Sequence, residues 1–125
     1  MLDKATLLAI TPKLIGFDDE AMWTEDVFTE YHVKDRDNFT ILYAWYENED
    51  YNGHSYVFGY DKKEDKFFEV EAWHCSCYGL EEGWDPEYFE SVELLTVYMQ
   101  RCKALASGDG QNLFINYLTE IGIEV

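Results

Sequence analysis

Basic residues are scarce in this chain. Nine Lys and Arg stand against 26 Asp and Glu in 125 residues, a formal charge of −17. That shortage argues against direct nucleic-acid binding, because neutralising phosphates takes Lys and Arg. It disfavours anionic membranes for the same reason. Long apolar runs are also missing, so no segment reads as a membrane span, and Met1-Leu2-Asp3-Lys4 opens without the apolar stretch of a secretory signal. No linker, internal repeat or low-complexity tract divides the chain, so residues 1–125 are read as one domain. No P-loop, Gly-x-Gly-x-x-Gly, Gly-x-Ser-x-Gly or EF-hand pattern is present. The three cysteines are an odd count, with one Cys-x-Cys pair and no Cys-x-x-Cys. Free thiols in a reducing cytoplasm are the simple expectation.

Aromatics and acids are abundant instead. Ten Tyr, eight Phe and four Trp suit a sheet-based domain, since aromatics favour strands. The acids predict solubility and a preference for basic protein surfaces, including those that hold DNA or RNA.

Along the chain, Asp3 to Leu14 reads as a short helix that Pro12 ends or kinks. Asp18 to Asp26 is an acidic loop or weak helical turn with a Met22-Trp23 insertion. Val27 to Val33 alternates like a strand, with Val27, Thr29, Tyr31 and Val33 on one side. Phe39 to Glu47 is the clearest strand, with Phe39, Ile41, Tyr43 and Trp45 facing one way. Asn52-Gly53 is a hairpin signal that would set Trp45 opposite Tyr60. Strands follow at His54–Tyr60 and from Phe67. In the latter, Phe68, Val70 and Ala72 are the expected buried set, Glu69 and Glu71 point to solvent, and Phe58 pairs with Val70. A helix then begins at Asp85-Pro86 or at Ser91 and is stopped by Gly108. A last helix runs from Asp109 to Gly122. The expected fold is α+β: a three- to four-stranded antiparallel sheet with an N-terminal helix and two C-terminal helices packed on one face.

The stretch from Phe67 to Met99 concentrates the chemistry. It holds eight carboxylates, no Lys or Arg, and the cluster His74-Cys75-Ser76-Cys77. Zinc takes thiolate and imidazole ligands, so His74, Cys75 and Cys77 with His54 form a candidate metal set. Structural zinc sites use two ligand pairs, however, and only one Cys pair exists. A nucleophilic Cys75 or Cys77 would need nearby positive charge, and Glu69, Glu71, Glu81 and Glu82 supply the opposite. A hydrolase built on clustered carboxylates or a thiol is a further alternative. The leading expectation assigns no cofactor and no catalytic residue. Glu69, Glu71, Glu81, Glu82, Asp85 and Glu87 are candidate partner contacts, with Trp84 and Tyr88 as anchors. Carboxylates on one strand face recur at about 6–7 Å, close to the phosphate spacing of a nucleic acid.

The run His74-Cys75-Ser76-Cys77-Tyr78-Gly79-Leu80-Glu81, followed by Trp84-Asp85-Pro86-Glu87, resembles a segment of small uncharacterised bacteriophage proteins. That resemblance covers about fourteen residues and implies a phage or prophage origin, hence a host-cell cytoplasm. Small acidic phage proteins include inhibitors of host defence, of anti-CRISPR and anti-restriction type. The sequence reading is thus a non-enzymatic binder of a basic or nucleic-acid-binding host protein through a DNA-mimicking acidic surface.

Overall fold

A computed structural model describes residues 2–16, 24–49, 52–74, 80–81 and 83–125. Expectations for Asp18–Trp23, Asp50-Tyr51, Cys75–Gly79 and Glu82 lie outside the described residues. The elements are α1 (Lys4–Leu8), β1 (Lys13–Ile15), α2 (Thr24–Tyr31), β2 (Phe39–Glu49), β3 (Asn52–Asp61), β4 (Lys66–His74), β5 (Glu87–Tyr88), α3 (Val92–Leu105) and α4 (Asp109–Glu120). The class is α+β, as expected. The sheet has five strands in the order β1-β2-β3-β4-β5, one more than the upper expectation, and β1 pairs parallel to β2. Among the described residues, no helix is long and apolar enough to cross a membrane.

Both sheet faces are covered. On one face α1, α3 and α4 pack Leu7, Leu95, Met99, Phe114 and Leu118 against Tyr43, Tyr56, Phe58 and Phe67. On the other, α2 packs Val27, Phe28 and Tyr31 against Ile41, Val57, Phe68 and Val70. The strand expected over Val27–Val33 is therefore mostly helix. Val27, Phe28 and Tyr31 fall on one helical stripe, and an uncovered apolar sheet face outweighs the weak strand preference of Val and Thr. His32, at φ 56°, ends this helix in the left-handed conformation, and Val33 N–H donates to Phe28 O at 2.9 Å. The N-terminal helix stops at Leu8, and Pro12 leads into β1. Asp85-Pro86 starts no helix; Ser91 caps α3, its hydroxyl accepting from Leu94 N–H at 3.1 Å.

Double coverage also explains the register. Phe67 and Phe68 are both buried, so β4 has no solvent face along its first half. Phe58 pairs with Glu69 and Val57 with Val70, one residue away from the expected pairing of Phe58 with Val70. Asn52 and Gly53 lie inside β3, and Trp45 pairs with Tyr56, not Tyr60. In β2 the pairing slips between Ile41 and Tyr43, so that Leu42 is bulged. Phe39 and Ile41 consequently face α2, whereas Tyr43 and Trp45 face α3 and α4.

Candidate acidic and aromatic site

The sheet face covered by α1, α3 and α4 ends in two cross-strand rows. Trp45, Tyr56 and Glu71 form one; Glu47, His54 and Trp73 form the next. The first turn of α4 sits on Tyr56, where a Cβ on Gly110 would come 2.2 Å from Tyr56 Cβ. Glycine permits that seat. The outer row is left open, with Trp73 70% exposed. Between helix and outer row lies a cleft of about 360 Å³ lined by Trp45, His54, Tyr56, Glu71, Trp73 and Asp109, among others.

A second cleft of about 180 Å³ adjoins it, lined by Glu69, Glu71, Asp85 and Glu87. Glu71 is the wall common to both. Glu69 was expected at the surface, but it is 4% exposed and lies on the face covered by α3 and α4. Its carboxylate accepts from Tyr56 Oη at 2.9 Å and Tyr98 Oη at 2.5 Å. The Gln111 amide donates to Tyr98 Oη at 3.2 Å and to Glu71. These bonds tie α3 and α4 to the floor of the acidic cleft.

Burial raises the Glu69 pKa, with Glu71 adding to the rise, while the tyrosine hydrogen bonds oppose it. The folded form therefore takes up this proton before the unfolded form does. The group adds stability as pH falls through its raised folded value, and that stability is lost again as pH rises. Melting temperatures of wild type and Glu69→Gln, compared from about pH 7 to about pH 5, are expected to diverge in favour of wild type at the lower pH. A constant difference would show that Glu69 is not the titrating group.

The remaining sequence-derived contacts divide between the two sheet faces. Asp85 and Glu87 are exposed beside Glu71. Glu81 and Trp84 instead line a cleft of about 400 Å³ on the α2 side, with Tyr31, His32 and Phe39. Trp84 is a packing residue. Its indole meets Tyr31, Phe39, Phe68 and Phe28 edge-on at 5.3, 5.4, 5.6 and 6.3 Å between ring centroids. Tyr88 is 39% exposed, but its hydroxyl is turned inward, donating to Asp61 Oδ2 at 2.7 Å. Burial and the Asp61 charge push the Tyr88 pKa up to about 12.

The candidate metal set does not converge around both histidines. His74 is buried on the α2 side, its Nε2 2.6 Å from Tyr46 Oη. Gly53 lies directly across, where a Cβ would be 2.1 Å from that nitrogen. His54 is exposed on the opposite face beside Trp73. Strand alternation thus separates the two imidazoles. Cys75 and Cys77 lie outside the described residues, and no group of three His, Cys, Asp or Glu among the described residues is placed to hold a metal ion.

The charge is unevenly placed. Lys4, Lys63 and Lys66 form ion pairs with Asp65, Asp35 and Glu90 around the β3–β4 turn, at 2.6, 2.9 and 3.0 Å. The carboxylate cleft lies further along β4, and among the described residues no Lys or Arg lines it or the Trp73 cleft. Trp73, Trp45 and Gln111 were missed as site residues. The shared parity of Glu69, Glu71 and Trp73 was the available signal for Trp73.

No family model, curated protein or solved structure matches the chain.

Proposed function

We propose that the chain is a non-enzymatic binding protein that engages a basic protein surface through the Glu71, Asp85 and Glu87 face. The supporting observation is the cleft lined, among the described residues, by four carboxylates and no Lys or Arg, next to a largely exposed tryptophan. Convergent carboxylates attract and orient cations, and an exposed indole supplies contact area of the kind that dominates interfaces. The resemblance of the 74–87 segment to bacteriophage proteins makes a host nucleic-acid-binding protein the natural target class. Inhibition would then follow from occupying the surface that holds phosphate. Burial of Glu69 removes it from the contact set, so the mimicry rests on Glu71, Asp85 and Glu87.

The test separates local from overall charge. A labelled deca-lysine peptide is titrated against wild type, against Glu71→Lys/Asp85→Lys/Glu87→Lys, and against a control with Glu93→Lys/Glu120→Lys/Glu124→Lys. Both variants change net charge equally. The site variant is expected to lose about tenfold more affinity than the control. Wild-type affinity is expected to fall at least about tenfold between about 50 and 300 mM salt. Equal losses in the two variants, or affinity indifferent to salt, would overturn the assignment.

A further inference from the structure

Resting on that reading, we infer that the cleft between Trp45, Trp73 and Glu71 receives an arginine side chain of the basic partner. Three observations lead there. The first is Trp73 itself: 70% exposed, in the outer row near the end of β4, yet held in the sheet by pairing with His54. An indole face left open beside a formed cleft is suited to stacking, and it carries the negative side of the ring quadrupole.

The second is the polar lining. Glu71 and Asp109 contribute carboxylates to the same cleft, and among the described residues no Lys or Arg lines it; His54 is the one basic side chain at its wall. An anion is disfavoured there, although the α4 N-terminus is close, because Asp109 already stands in the first turn of that helix. A purely apolar side chain would leave the carboxylates without compensation. A planar cation satisfies both the indole and the carboxylates.

The third is the rigidity of Glu71. Buried Gln111 donates to it and also to Tyr98, so the carboxylate is positioned before any partner arrives. A fixed carboxylate beside an indole discriminates between cations. Guanidinium is flat, weakly hydrated and donates in a fork, so it can stack and bind the carboxylate together. An ammonium is a strongly hydrated point charge and gains less from the indole.

Hexa-arginine and hexa-lysine peptides, titrated separately at low salt and followed by tryptophan fluorescence and anisotropy, test this. Wild type is expected to bind hexa-arginine about tenfold more tightly than hexa-lysine. Trp73→Ala is expected to bring the two affinities to within about twofold, and Trp73→Phe to keep part of the preference. Unchanged unfolding midpoints establish that both variants are folded, as the exposure of Trp73 predicts. Equal affinity of wild type for the two peptides, or an arginine preference that survives Trp73→Ala, overturns the arginine site while leaving the acidic face intact. Failure of both peptides to bind at low salt overturns the acidic-face reading as well.

Discussion

Trp84→Ala is expected to cost about 3 kcal/mol of folding stability, while Trp73→Ala stays within about 0.5 kcal/mol. The two tryptophans flank the same acidic segment, yet their environments are opposite. Trp84 is surrounded by Phe28, Tyr31, Phe39 and Phe68, all edge-on. Those four come from α2, β2 and β4, so the indole joins the cover of the α2 face to the sheet beneath it. Aromatic pairs of this geometry contribute about 0.5–1.5 kcal/mol each beyond area burial, though not additively. Truncation leaves a void against four rings, and the segment before β5 loses its contact with the sheet. Trp73 is mostly in water already. Urea unfolding of the two variants measures the difference, and coincident midpoints would contradict the packing role of Trp84. Loss of partner binding in Trp84→Ala would accordingly report on folding, not on contact.

Asp61→Ala is expected to cost a similar amount, about 3 kcal/mol, because it removes a buried carboxylate on which three donors depend. Asn38 Nδ2 and Glu64 N–H donate to Oδ1 at 2.8 and 3.0 Å, and Tyr88 Oη donates to Oδ2 at 2.7 Å. These bonds close the β3–β4 turn and fasten β5 to the end of β3. Burial alone would raise the Asp61 pKa, but the hydrogen bonds from Tyr88, Glu64 and Asn38 outweigh it and hold it below the usual 3.8. The sign is therefore opposite to that of Glu69. Stability from Asp61 is fully present above its unfolded pKa and is lost as pH falls through the lower folded value. Asp61→Asn keeps one acceptor oxygen but replaces the other with an amide group, so about 1 kcal/mol is expected. Melting curves near neutral pH should rank wild type above Asp61→Asn and Asp61→Ala last. An Asp61→Asn variant as stable as wild type, with only Asp61→Ala losing stability, would show that side-chain volume, and not the hydrogen bonds to the carboxylate, is what matters.

The fold class, the main strands, the capping Ser91 and the break at Gly122 were legible because each is a local signal, whereas α3 ends before Gly108, at a left-handed Ala106, and Gly108 instead precedes α4. Ser91 accepts from Leu94 N–H, and both glycines adopt positive φ. The misread facing of β4 has one origin. A strand covered on both sides loses the apolar–polar alternation from which facing is read, and Phe67-Phe68 gives no preference. Choosing Phe68, Val70 and Ala72 as the only inward set then sent Glu69 to solvent. Its true partners, Tyr56 and Tyr98, lie 13 and 29 residues away, where no local pattern reaches. The helix over residues 24–31 was hidden similarly: its apolar stripe is short and rich in residues that also suit strands. The concentration of acids around Glu71, Asp85 and Glu87 was visible, but the depth that separates Glu69 from its neighbours was not.

The bulge at Leu42 gives β2 an uneven tolerance to changes in length. Before it, odd-numbered residues serve the α2 layer; after it, even-numbered ones do. Losing one residue elsewhere along this strand would invert the following side chains, sending Ala44 and Tyr46 toward α3 and α4 and Tyr43 and Trp45 toward α2. Losing Leu42 itself would leave a regular strand with both sets in place. Homologous chains one residue shorter in β2 should therefore have their gap at this position, and the two layers should drift in sequence independently on either side of it.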